Sequence, residues 1–521
     1  MPEWNSLIVR TERGRQATDI EKKFFEFTKD VMPANGAKAF FKLLWNIENI
    51  KDVGQVFSSI PMIKEGLMLT KTLVDFITGF KYDSIPKDVA AASKKAILDY
   101  LGVTIAGSRE NTGKIITEFV KNAGGNPDSG VIAGGFKTSP FNAALANGTM
   151  GHALDFDDEC ESWCSHPTVG MLPAILALGE KQGASGKDVF TAYVMAWEVA
   201  AGIGRNNYFK ITDRAWHATS AVGVMSAAAG SAKILGLKPD KITMALGIAA
   251  SKSGGLVGNF GTDTKPLHAG LAASNGLRAA QLAQAGFTAA KDILENPMGY
   301  FRGVAGDIAT VDFSKMANPF DITSTLCIKA YPSCYCNQRP LDSMFYLIKE
   351  YKIKADDVAE VQVLAYPLQL KVMPYKAPKS GLEGKFSMQY SLASALLYGK
   401  AGLDEYTDKK VLDPKAQAIT KKIKVSAIPG KTFDDYTHCA TGQMVTVKMK
   451  NGAEYSYDAG RPKGHSSNPM TWDEIAAKFF DMSALNLSKK DADACVDLVD
   501  GLEKVKNIAE LMAIVTKVKA K

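Results

Sequence analysis

From Asp75 to about Gln284 the chain is written as helix after helix rich in Ala, Gly and Ser, and this constrains the fold more than any other feature. SKKAILDYLGVTIAG, KDVFTAYVMAWEVAAG, WHATSAVGVMSAAAGSAKILG, PDKITMALGIAASK and PLHAGLAASNGLRAAQLAQAG all place apolar residues at helical spacing. Small side chains let helix axes approach closely, so a compact many-helix domain is expected. The punctuation is local and physical. Ser139-Pro140 reads as an N-cap followed by Pro at the first helical position, opening PFNAALANGTMGHALDF. His166-Pro167 marks a boundary, because a residue before proline disfavours the helical region. The helix HPTVGMLPAILALGEKQG should close at Gly183.

Near residue 320 the texture changes. DDVAEVQVLAY alternates like a strand, and FSMQYSLASALLYG reads as a helix. MVTVKMKNGAEYSYD reads as a hairpin whose Asn451-Gly452 pair suits a type I′ turn. Helical text returns after about residue 465 with TWDEIAAKFFDM and AELMAIVTKVK. The expected fold is mainly α with an α+β insertion. A helical N-terminal extension covers 1–70, a helical domain 71–322, a smaller α+β domain 323–464, and the helical domain resumes over 465–521. In the extension, EKKFFEFTKDVM and AKAFFKLLWNIENI each carry an apolar stripe, which packing against the same chain would cover.

Composition narrows the class. Of 521 residues, 46% are apolar and 22% charged, ordinary for a globular protein, and the net charge of +7 is mild for this length. No basic stripe with interleaved aromatics appears, so nucleic acid is not an expected partner. MPEWNSLIVRTERGRQ places no apolar region after its basic residues, which argues against a signal peptide. No run approaches the roughly 18 apolar residues of a membrane span. Seven scattered cysteines fit a reducing compartment better than a disulfide framework, so a cytoplasmic location is expected.

The chemistry concentrates in NGTMGHALDFDDECESWCSHPTVG, residues 147 to 170. Cys160, Cys164 and His166 lack the paired spacing of a structural zinc site, and Cys334 with Cys336 does not complete one. No metal and no cofactor are expected. GLVGNFGTDTK lacks the Gly-Lys-Ser/Thr ending of a phosphate loop. Acid–base chemistry remains. Four of the six histidines, His152, His166, His217 and His268, sit near helix boundaries among small residues and charge. A lone histidine there is more often structural, so their number matters. His152 and Asp155, three apart on a helix, would share a face, and the carboxylate would raise the imidazole pKa. One of Asp157 and Asp158 should then turn to solvent or to a cation. His217 and Lys265-Pro266 each open a helix, where free N–H groups favour an anion.

Taken together, NGTMGHALDFDD, HPTVGMLPAILALGE, WHATSAVGVMSAAAGSAKILGL, TKPLHAGLAASNGLRAAQLAQAGFTA, KAYPSC and GKFSMQYSLASALL resemble, in order, the MmgE/PrpD family of 2-methylcitrate dehydratases and cis-aconitate decarboxylases. The resemblance runs from about residue 72 to the end. It implies a large helical domain, a smaller lid-like α+β domain, a homodimer and a site for a small polycarboxylate that needs no bound metal. It places Asp155, His166, His217, Lys265, Lys329 and Tyr390 at catalytic positions. His152, Lys265 and Lys329 fall to substrate binding, while Asp157, Asp158 and the cysteines are supporting. One position departs: where the family usually carries a histidine four residues before an aspartate, Gln338 stands before Asp342. Glutamine cannot exchange a proton. The first reading is a hydro-lyase acting on a hydroxylated di- or tricarboxylate. An epimerase, isomerase or decarboxylase using the same proton abstraction comes next, and a non-catalytic binding protein last.

Overall fold

The computed structural model describes residues 21–26, 34–49, 68–306, 311, 313–314, 316–432 and 443–518. The chain divides into two compact units, 1–69 and 70–521. In the first, Ala34–Trp45 is a helix, and residues 21–26 are helical. Their apolar stripes meet: the Phe24 and Phe41 rings lie 5.0 Å apart, and Trp45 stacks on Phe41 at 5.3 Å. The rest of EKKFFEFTKDVM and the N-terminal MPEWNSLIVRTERGRQ lie outside the described residues.

The second unit is mainly helical, as the small-residue text required. Helices Pro140–His152, Pro167–Gln182, Gly186–Gly204, Gly223–Ile234 and Thr264–Gln284 bury nearly every side chain they carry or a large share of it. Ser139 is the N-cap of the first and Pro140 its first residue. His166 caps the second, which ends at left-handed Gly183. The WHATSAVG segment is not one helix: Ala218–Ala221 is a separate turn before Gly223–Ile234. Glycine has one decisive use here. A Cβ on Gly148 would stand 2.8 Å from Gly270 Cα, and one on Gly270 would run into the Leu145 carbonyl and the Thr149 hydroxyl. Only two facing glycines let the Pro140–His152 and Thr264–Gln284 helices come this close. That contact brings the end of one, His152, against the start of the other, Lys265.

The α+β part holds a four-stranded sheet in the order Ile423–Ala427, Val358–Ala365, Val445–Met449, Glu454–Tyr457. The first pair is parallel and the others antiparallel. One face of the sheet meets the Met388–Tyr398 helix in a second apolar cluster that includes Val361, Val363, Val447, Met388 and Leu392. The hairpin forms, but not through a type I′ turn. Gly452 has φ +87° while Asn451 keeps negative φ. Met449 N–H donates to Ala453 O, closing a three-residue loop with glycine in the left-handed place, and Asn451 Oδ1 accepts from Ala453 N–H. Among the described residues no helix is long and apolar enough to cross a membrane.

Candidate active site

The Pro140–His152 helix stops at His152, and the chain turns sharply. Asp155 has φ +51°, a left-handed conformation that costs a non-glycine residue roughly 1–3 kcal/mol. Asp155 is therefore not on the helical face of His152, as three-residue spacing suggested. It lies in the turn, fixed from elsewhere. Lys265 Nζ donates to Asp155 Oδ1 at 2.8 Å, and Lys329 Nζ to the same oxygen at 3.0 Å and to the Asp155 carbonyl at 2.9 Å.

Lys329 reaches this turn because of a two-residue antiparallel ladder. Glu159–Cys160 pairs with Leu326–Cys327, so the stretch after Asp155 is tied to the segment just before Lys329. Gln338 then staples the segment beyond. Its Oε1 accepts from the Ala330 and Tyr331 N–H groups, both at 3.1 Å, and its Nε2 donates to Tyr331 O at 2.9 Å. The residue standing where the family has histidine is thus a fully buried loop fastener.

A second reversal brings His166 back. Cys160 and Ser165 form an antiparallel bridge, and His166 Nδ1 lies 3.0 Å from Asp158 O and 3.1 Å from Asp157 Oδ2. The partner of His152 is Asp157, not Asp155: both Asp157 oxygens lie 3.0 Å from His152 Nδ1. Lys265 Nζ sits 2.9 Å from His152 Nε2, which must accept, so His152 is neutral with its proton on Nδ1. Asp157 and Asp158 are both buried, where one was expected to turn to solvent or to a cation; Asp157 meets the two imidazoles instead. Asp158 accepts from Thr168 N–H at 3.3 Å and from the Thr168 hydroxyl, capping the first turn of the Pro167–Gln182 helix.

The charges follow from this wiring. Burial would raise the Asp155 carboxyl, but Lys265 and Lys329 hold it well below the usual carboxylate range. Burial also works against an ionised Asp157, yet the His152 and His166 rings keep it low as well. Burial drives His152 down to about 3 despite Asp157, and Lys265 adds to the fall. The expected rise did not occur, because desolvation and an ammonium outweigh one carboxylate. His166 is also lowered, first by burial, with Asp157 pulling it up and Lys329 and Lys265 pushing it down. Its Nδ1 faces Asp157 and Asp158 O, which leaves Nε2 as the basic nitrogen, 3.8 Å from Asp155 Oδ1.

A cavity opens on this cluster. Asp155, His166, His217 and Lys265 line it, together with Glu159 and an apolar wall that includes Phe260, Phe386 and Leu368. The Lys265 ammonium lies 5.5 Å from the centre of the Phe260 ring and 5.1 Å from that of Phe386. His217 Nδ1 faces His268 Nδ1 at 3.1 Å. Three anticipated residues do not line the cavity. Lys329 is fully buried behind Asp155. Tyr390 is packed in the second apolar cluster, its hydroxyl donating to Glu405 O. His152 likewise stands behind Lys265, 1% exposed.

Glu159 was passed over in the sequence, where it reads as one more acid in a charged run. It is 4% exposed, lines the cavity, and its Oε2 has no hydrogen-bond partner among the described residues. Burial, only partly offset by Lys329, pushes its carboxyl well above the usual range, which favours the protonated form. Cys160, Cys327, Cys334, Cys336 and Cys495 are free thiols, whereas Cys164 is disulfide-bonded, a bridge that the scattered spacing did not announce.

His152, Asp155, Asp157 and His166 offer ligand atoms within 4.8 Å of one another, a set that could hold a metal ion. The chemistry of the cluster weighs against it. Asp155 Oδ1 already accepts from two ammonium groups, His152 Nε2 from one of them, and a dication would stand beside both lysines.

Asp155, Glu159, His166, His217 and Lys265 thus share a small, largely apolar cavity, with Asp157, His152 and Lys329 packed behind them. The MmgE/PrpD N-terminal domain matches residues 71–310 and the MmgE/PrpD C-terminal domain residues 331–504. The chain belongs to the MmgE/PrpD family and is an enzyme of its lyase type. It is similar to the cis-aconitate decarboxylase of Mus musculus, with 26% identity over 464 residues, 85% of this chain and 92% of that one. The Homo sapiens enzyme of the same name is 27% identical over 470 residues, 86% of this chain and 94% of that one. The 2-methylcitrate dehydratase of Escherichia coli (strain K12) is 24% identical over 342 residues, 61% of this chain and 70% of that one.

Proposed function

We propose that this chain is a cofactor-free lyase that removes a proton next to a carboxylate of a small di- or tricarboxylate. The observation that carries this reading is a base and an acid on one cavity wall. His166 Nε2 and the Glu159 carboxyl both line it; burial lowers the imidazole, favouring its basic form, and raises the carboxyl, favouring its acid form. In a hydro-lyase step His166 Nε2 takes the proton from carbon, and its electron pair forms the double bond. The hydroxyl leaves as water with the Glu159 proton. Negative charge builds on the adjacent carboxylate meanwhile. The Lys265 ammonium is fixed at the cavity edge to stabilise it, and Asp155 holds that ammonium in place. The pair Asp155–Lys329 forms the rear of the same charge array.

A decarboxylase is the second reading, favoured by the apolar wall of Phe260, Phe386, Leu368 and Val372 and by similarity to cis-aconitate decarboxylases along nearly their whole length. A carboxylate facing such a wall is poorly solvated, which favours its loss as carbon dioxide. The carbanion left behind would then take its proton from Glu159. A homodimer is part of the proposal on family grounds alone.

Proton NMR in deuterated water with a panel of hydroxy-tricarboxylates and cis-aconitate tests both. Loss of water from a hydroxy acid supports the first reading, loss of carbon dioxide from cis-aconitate the second. Neither product nor deuterium exchange from any member of the panel would remove both. Turnover is expected to survive exhaustive chelation unchanged. Metal content that is stoichiometric and lost together with activity would contradict the cofactor-free mechanism.

A further inference from the structure

Three consecutive carbonyls in the turn after the Pro140–His152 helix each receive a lysine ammonium. Lys385 Nζ donates to Leu154 O at 2.6 Å, Lys329 Nζ to Asp155 O at 2.9 Å, and Lys478 Nζ to Phe156 O at 3.0 Å. The lysines come from three separate segments. Lys329 follows the Leu326–Cys327 strand, Lys385 ends the Gly381–Lys385 helix, and Lys478 lies in Trp472–Ser483. Lys385 is 4% exposed and Lys329 is fully buried. Lys478 also donates to Lys329 O at 3.0 Å, pairs with Asp99 at 2.7 Å and lies 3.6 Å from the centre of the Phe156 ring.

Simple satisfaction of carbonyls would explain one such lysine. Buried carbonyls need donors, and this turn has left the helical ladder. Three in succession, centred on Asp155 with its left-handed backbone, do more. Rotating either peptide that flanks Asp155 toward the relaxed right-handed region would swing a carbonyl off its ammonium. Each broken contact would take an acceptor from a buried ammonium, a penalty of the same order as the strain released or larger.

We propose that Lys385 and Lys478 are positioning residues that, with Lys329, clamp the Leu154–Phe156 backbone and so hold the Asp155 carboxylate on Lys265. Neither Lys385 nor Lys478 lines the cavity that Asp155 faces. They act through Asp155, and the inference rests on reading Asp155 as part of the acid–base site. An ångström of displacement there can cost about 10²-fold in rate.

Two measurements on the full chain test the clamp. The first needs no substrate: ¹⁵N spectra of the imidazoles, which sense Asp155 through Lys265 on His152 and directly on His166. Lys385→Met and Lys478→Met are expected to shift both rings. Lys233→Met is expected to shift neither, since Lys233 binds the Ile77 and Phe80 carbonyls elsewhere. The second is kinetics, where kcat should fall about 10²-fold in the two clamp variants with KM changed less than about threefold. Folded clamp variants with native imidazole signals and native kcat would overturn the proposal. If Lys385→Met does not fold, Lys385→Arg and Lys385→Gln replace it. Arginine, which keeps charge and reach, should retain more kcat than glutamine, and equal values would overturn the clamp. Shifted imidazoles in a protein that turns over no polycarboxylate would support the clamp and overturn the functional reading instead.

Discussion

His166→Asn is expected to lower turnover by 10²–10⁴-fold, the range for losing a general base, with little change in melting temperature. The small thermal effect follows from the fold. His166 is an N-cap whose side chain makes no capping bond to its own helix, and asparagine is a good N-cap. An Asn amide can also donate toward Asp158 O in place of Nδ1–H. What it cannot do is accept a proton. The wild-type pH profile carries a second sign of the same role. The folded imidazole titrates below its ordinary value of 6.5, because burial and two ammonium groups outweigh Asp157. The basic form therefore persists as pH falls through 6.5, and the acid limb of kcat should lie below that value. The limb should vanish in His166→Asn. Wild-type kcat in the variant would assign the base elsewhere.

Lys329→Met and Lys265→Met should part company, although sequence alone treats them as equivalent members of a cationic clamp. Both are expected to lower turnover by on the order of 10²-fold, the scale of one electrostatic contact in a transition state. Lys329→Met should in addition destabilise the fold by on the order of 3 kcal/mol, because it removes a fully buried ammonium and leaves Asp155 short of a partner. Asp155 raises Lys329 above its ordinary value against the pull of burial, so the charge belongs to the native state. Lys265 lies at the cavity, and its loss leaves Lys329 on Asp155, so its thermal cost should be smaller. Chemical denaturation beside steady-state kinetics separates the two. Equal stability losses would show that burial of Lys329 is not what distinguishes them.

How much of this was legible in the chain depends on how far each signal had to travel. Ser139-Pro140, His166-Pro167 and Gly183 act on their own backbone, and each helix border stands where those residues place it. The Asn451-Gly452 hairpin was found, but its turn type was not, since loop length is settled by the register of the strands on either side. Helical spacing paired His152 with Asp155. The helix ended at His152, three residues short of Asp155, and Asp157 took the place. Tyr390 matched a motif yet points into a core, because the face a helix buries depends on the sheet packed against it. Glu159 drew no role from the sequence, because it is a two-residue ladder with Leu326–Cys327 that draws it inside.

The sequence by itself determined the helical class, the alternating strands, the helix ends and the residue types available for acid–base work, because those depend on neighbours within a few positions. Tertiary structure alone decided which carboxylate meets which imidazole, which lysine faces the cavity and which stands behind it, and which acid stays protonated. Those outcomes depend on desolvation and on charges brought together from segments more than a hundred residues apart, such as Asp155 with Lys265 and Lys329, and no local pattern encodes a sum of that kind.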